Sequence, residues 1–433
     1  MTKAPPYSEK CDRLRKTRPD MPEPTPVPDD PGLTFGQRLK VQRTRRGMTR
    51  DVLAGLVGKS GSWVKAVEAG RLQAPKLSML LRLAEALRVR DLAQLTGDQS
   101  IPISLFTGPG HARLPAVRSA VNAMPVLTSR AAPPVGHLRA RLDQAWATRH
   151  SSPRHREVLG QLLPDLIGDS QLAAHQADSR AERRAAQAVL AEVYALSQFF
   201  IAYQPAQDLL WRVAERGMIA AQDSGDLHAI GVASWLMAQA HRDAGDWDAA
   251  DVVTSHTLEL LTRHSDGATT SVAAIHGAML FEDGYTAARR GETGAAWGRW
   301  DAANSVADRL PGTYYHPVTS FSRAIMGAHA VTIAVELRAG GESVRQADRT
   351  VSAAIPSRPR RARHEIEQAR AYYLDAQPDV ALSVLEAANE AAPETIRYNG
   401  YARRIILEEL DERDGRRQRR ASELADRMGL LTA

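Results

Sequence analysis

Between Arg50 and Arg71 the chain sets Arg50, Lys59, Ser60, Ser62, Lys65 and Arg71 among small residues such as Gly61 and Ala66, with Trp63 in their midst. The charged and hydroxylic side chains donate hydrogen bonds and positive charge, which is the chemistry of holding a phosphate or a base edge. None of them is a His or Cys, the usual base, nucleophile or soft metal ligand.

Motifs that would carry covalent chemistry fail on inspection. "GKS" at 58 to 60 resembles the end of a phosphate loop, but Leu53 stands where that loop needs its first Gly. "HEIEQ" at 364 to 368 has Gln368 where a zinc-peptidase helix needs its second His. The single Cys11 excludes cysteine-based zinc sites, the 13 His are scattered, and no GxSxG elbow occurs. We therefore expect no enzyme activity, no cofactor and no metal. Cys11 has no intrachain partner, no secretory core opens the chain, and no window approaches the ~18 apolar residues of a membrane span. The expected location is the cytoplasm, on the nucleoid, away from membranes.

Charge is unevenly placed. Residues 33 to 97 hold thirteen Lys and Arg against four acids, a net +9, while the whole chain carries +6 and residues 1 to 32 balance. The chain from 98 onward is therefore at −3. One small segment carries the basic character, as expected of a phosphate-binding module joined to a different kind of domain.

The elements that must position these donors are helices. Residues 1–31 contain eight prolines mixed with charge, a composition that stays solvated and reads as a disordered arm. Residues 32–98 then show helical periodicity, with Phe35, Leu39 and Val41 as first apolar positions, and five short helices fit there. Residues 99–136 turn to Pro, Gly and Ser and read as a linker with one short helix near 115 to 123. Residues 137–433 are Ala-rich and amphipathic without strand-type alternation, so the fold class is all-α.

Small residues repeat in a frame within that second half. Ala238, His241, Gly245, Trp247, Ala250 and Thr257 are echoed by Gly284, Ala287, Gly291, Ala296, Trp300 and Ala303. Ala369, Tyr372, Ala376, Ala381, Leu385, Ala388 and Pro393 give a third copy, with weaker ones around 188 to 222 and 322 to 348. In such a frame small residues let two antiparallel helices approach, Gly makes the turn and an aromatic fills the seam.

On these residues the chain resembles two families. Residues 34 to 97 resemble the helix-turn-helix domain of the XRE family, the Cro and phage-repressor type. The resemblance rests on "FGQRLKVQRTRRGMT", Ala54 and Gly58 at small positions, Val57, Val64 and Val67 at apolar ones, and "VEAGR" closing the third helix. The second half resembles tetratricopeptide-repeat domains. The pair looks like regulators of high-GC Gram-positive bacteria, some of whose relatives bind signalling peptides in the repeats. The fold implied is a five-helix, lambda-repressor-like domain followed by a helical-repeat superhelix.

The first resemblance implies that Arg50 contacts phosphate and that Ser60 caps the recognition helix. Gly61, Ser62, Lys65 and Ala66 then form the base-reading face, and Trp63 packs beneath the helix or lies along the sugar-phosphate edge. Lys59, where the family prefers an apolar residue, and Arg71 complete the expected DNA contacts. Gly61 and Ala66 replace longer side chains, so direct readout would rest on Ser62 and Lys65.

In the repeats, Trp211, Trp235, Trp297, Trp300, Tyr314 and Tyr315 are candidates for a concave ligand face, with His241 beside them; simple inter-helix packing is the competing use. Trp211, Trp235, His241, Trp300 and Tyr314 are the expected ligand-binding set. The basic runs "RPRRARH" (358 to 364) and "RDGRRQRR" (413 to 420) read as solvated linker or helix ends, with flanking-DNA contact as the alternative. The expectation is a transcription regulator on double-stranded DNA, a homodimer whose repeats sense a peptide, small molecule or partner. A protein-interaction scaffold with a head that no longer reads sequence is the other reading.

Overall fold

A computed structural model describes residues 33–72, 75, 77–89, 92–97, 110–123, 130–244, 246–412 and 414–430. The Pro-rich arm, Gly245 and parts of the linker lie outside them. Every regular element among the described residues is helical.

Five helices make the head: α1 (Phe35–Arg45), α2 (Arg50–Leu56), α3 (Gly61–Glu68), α4 (Leu77–Ala86) and α5 (Ala93–Thr96). Their starts are written in hydroxyl caps. Thr34 and Gln37 form a reciprocal capping box on α1, Thr49 accepts from the Val52 N–H at 3.2 Å, and Ser60 accepts from the Trp63 N–H at 3.2 Å. Leu39, Leu53, Val57, Val64, Val67, Leu83 and Leu87 bury their side chains in one core. Val41 does not join it; it is 37% exposed, because it lies two residues beyond Leu39 and so on another face of α1.

One linker helix, α6 (Leu114–Asn122), follows, and its Leu114, Val117 and Val121 pack into the large second core. The remaining helices stack as antiparallel pairs: α7 (Val135–Ser151) with α8 (His155–Gln176), α9 (Arg180–Ile201) with α10 (Gln207–Ser224), and α11 (Leu227–Ala244) with α12 (Trp247–Arg263). They continue with α13 (Thr270–Arg290) and α14 (Thr293–Arg309), α15 (Met326–Glu336) and α16 (Gly340–Arg349), and α17 (Arg358–Leu374) and α18 (Pro378–Ala391). Short α19 (Pro393–Tyr398), α20 (Gly400–Leu410) and α21 (Gly415–Arg427) close the chain. Every repeat frame expected from the sequence falls on one of these pairs, the two weaker ones on α9 with α10 and α15 with α16. Ala250, Ala296, Ala303, Ala369, Ala381 and Ala388 are fully buried, which is what lets paired axes approach closely.

The first helices of successive pairs touch in order, and α17 returns to touch α7. The array thus winds once around and closes into a ring. His150 Nδ1 meets Ser357 Oγ at 2.8 Å across the seam, and the Glu394 carboxylate accepts from the Arg156 N–H at 2.5 Å.

The head docks on this ring. Arg82 pairs with Glu408, Arg404 pairs with Glu85 at 2.8 Å, and Arg338 donates to the Leu56 carbonyl. Arg88 also donates to the Arg242 carbonyl at 3.2 Å. The docking face is thus α4 and the end of α2, leaving α3 elsewhere on the head.

Both basic runs fall at helix ends, one of the two default readings expected of them. Residues 358–364 open α17, and Arg360, Arg363 and His364 line the space inside the ring. In the second run Arg416 pairs with Asp379 at 2.9 Å and Arg420 with Glu386 at 2.9 Å, both acids of α18.

Candidate nucleic-acid interface

α2 and α3 are joined by a turn that Gly58 makes possible, with φ at +67°. The Lys59 N–H donates to the Ala54 carbonyl at 2.8 Å, ending α2. Ser60 then leaves the turn extended and caps α3, while its hydroxyl also lies 2.8 Å from Ser62 Oγ.

The glycine that follows has a specific cause. A Cβ at Gly61 would fall 1.8 Å from Asp51 Oδ1, so the first turn of α2 presses directly on the first turn of α3. Asp51 therefore sets its carboxylate against the amino end of α3, where the helix dipole favours negative charge. Gly61 leaves room for the Asp51 carboxylate in this arrangement, and the readout falls to its neighbours.

At the other end of α3, Glu68 is buried and held by two arginines. Arg43 Nε donates to its Oε1 at 2.5 Å and Arg50 Nε to its Oε2 at 2.7 Å. Burial acts to raise the Glu68 pKa, but the hydrogen bonds and charges of Arg43 and Arg50 prevail and hold it below the ordinary carboxylate value. Arg43 further donates to the Met48 carbonyl at 2.6 Å, tying α1 to the entry of α2. This clamp fixes the angle between α1, α2 and α3.

Arg50 thus stands in an ion pair, with its side chain 41% exposed. It lines a shallow surface concavity with Arg43, Asp51, Gly61, Ser62 and Lys65. Lys59, Ser60, Ser62, Lys65 and Arg71 are exposed even with the head docked. Ala66 is half-buried, and Trp63 packs against the head core. Of the expected DNA-contact residues, Arg50, Gly61, Ser62 and Lys65 share this concavity, Lys59 and Ser60 precede α3, Arg71 follows its other end, and Trp63 turns to the core. Sequence reading missed Arg43, Asp51 and Glu68: the clamp joins positions 25 residues apart, and no local spacing signals it.

Of the five expected ligand residues, Trp235 alone lines the space inside the ring. Trp211 packs edge-on against His241 at 4.9 Å, and His241 Nδ1 lies 3.5 Å from Asp246. Trp300 donates from its indole to the Met326 carbonyl at 3.1 Å, and burial raises the Tyr314 phenol pKa. Trp211, His241 and Trp300 thus make contacts between helices, and Tyr314 packs against the main core.

Residues 34–95 match a family model described as a helix-turn-helix domain. No curated protein and no solved structure matches the chain. The head is a helix-turn-helix domain, the module of DNA-binding regulators. No helix among the described residues is long and apolar enough to cross a membrane.

Proposed function

We propose that this chain is a sequence-specific transcription regulator whose tetratricopeptide-like ring senses a ligand and which binds its operator as a homodimer. The observation that carries the reading is the placement of Lys59, Ser62, Lys65 and Arg71, exposed on and beside α3 while α4 and the end of α2 dock on the ring. A helix so presented is free to enter a major groove, and two heads on a two-fold site supply the area that one small head lacks.

Ligand control follows from the docking. α4 contributes Leu81, Arg82 and Glu85, and the turn after it Arg88, to the wall of the space inside the ring, so an occupant touches both units. A ligand that prefers one head position shifts the population toward it, and with it the spacing of paired heads on DNA.

Lys65→Ala is the direct test. The variant is expected to lose discrimination between the operator and scrambled duplex by about tenfold or more in a mobility-shift assay, the worth of one good base contact. Unchanged discrimination would refute the docking of α3, and uniformly salt-labile binding to any duplex would favour the scaffold reading.

A further inference from the structure

We propose that the cavity enclosed by the ring and the docked head binds a small organic anion with an aromatic or aliphatic body, its anionic group held by Arg149, Arg156 and Arg360. This deepens the sensing role proposed above and rests on it for its regulatory consequence, although the site itself stands on the ring alone.

The cavity has a volume of about 520 Å³, within the size range of small-molecule sites. Phe199, Trp235, Leu236, Phe281 and Tyr285 supply an apolar wall. The rest is unusually rich in arginine, and several of these guanidiniums have acids beside them: Arg242 pairs with Glu282, Arg363 with Glu367, and Arg289 with Glu336 at 3.6 Å.

Three lie together. Arg149, Arg156 and Arg360 line the same cavity, the latter two close enough to act on Arg149, and among the described residues none of the three forms an ion pair. Arg149 is 7% exposed, its guanidinium carbon sits 4.2 Å over the Phe199 ring, and its Nε has no hydrogen-bond partner. Arg156 is 4% exposed, donates to the Phe200 and Ala202 carbonyls, and also leaves its Nε unpartnered. Arg360 donates to Nε2 of His329 at 3.0 Å, an uncharged acceptor whose ring stacks on Phe281.

Burial pushes Arg149 and Arg156 down to about 10, and Arg156 and Arg360 add to the depression of Arg149. Burial likewise lowers Arg360. These desolvated cations, two of them repelling Arg149, have Glu394 near Arg156 and Glu367 near Arg360 but no directly paired counter-charge on their guanidiniums. An anion supplies that charge, and charge-assisted hydrogen bonds in a low-dielectric pocket are the strong kind. The aromatic wall beside them selects an anion with an apolar body over inorganic ions.

The test uses the full chain without DNA and two fluorescent probes of similar shape: 8-anilinonaphthalene-1-sulfonate, an aromatic anion, and the neutral N-phenyl-1-naphthylamine. The wild type is expected to bind the sulfonate saturably and at least about tenfold tighter than the amine. Arg149→Met and Arg360→Met should each weaken the sulfonate at least about tenfold and leave the amine unchanged, which reports an intact cavity. Arg149→Met should melt at or above the wild-type temperature, since the lost charge had no partner. Equal affinity for the two probes in the wild type overturns the proposal, a result that needs no variant to fold. Sulfonate binding that survives both substitutions also overturns it. With DNA absent, failure here leaves the DNA reading standing, and failure of the Lys65→Ala test leaves this site standing.

Discussion

In the head, the buried Arg43 and the half-exposed Arg50 converge on the two oxygens of Glu68, whereas in the ring the guanidiniums of Arg149, Arg156 and Arg360 are desolvated and paired with no carboxylate. The same side chain therefore does two jobs. Where its charge is matched within the chain it fixes geometry, here the angle of the recognition helix. Where it is unmatched, folding has left an unfavourable interaction that a ligand can relieve.

The largest expected effect comes from breaking the matched set. Glu68→Gln removes the carboxylate from Arg43 and Arg50 and leaves a buried cation in the head, a loss of about 3–5 kcal/mol. Calorimetry of the full chain should then show an early transition for the head, with the ring transition in place. A single transition at the wild-type temperature would mean that the clamp does not hold α3.

A smaller effect is expected at Gly61. Gly61→Ala drives a Cβ onto Asp51 Oδ1, the tip of an exposed side chain that can swing aside, and should cost no more than about 1 kcal/mol. Asp51→Ala in the same chain should recover most of that, so a double-mutant cycle measures the contact. Additive losses would mean that Asp51 does not press on α3.

How much of this the sequence showed depended on distance along the chain. The five head helices, the turn at Gly58 and the cap at Ser60 were legible because each is decided within about four residues. The helix pairs were legible through the small residues at their seams. Closure of the ring was not, since it accumulates from small rotations at every pair and leaves no local mark. That hid the cavity: Arg360 and Arg363, in a run that reads as solvated, turn inward only because α17 comes back against α7. Aromatic spacing likewise could not separate Trp235, which faces inward, from Trp211 and Trp300, which fill seams. Gly61, which reads as a gap in the base-reading face, is explained by Asp51 across the turn.

Selection of duplexes from a random pool by the intact protein, followed by sequencing, tests the central claim most directly. The account predicts enrichment of a two-fold site with weak preference in each half, lost when Lys59, Ser62 and Lys65 are all replaced by Ala. A pool that stays random with the wild type, or enriches equally with the triple variant, would contradict a head that reads DNA through α3.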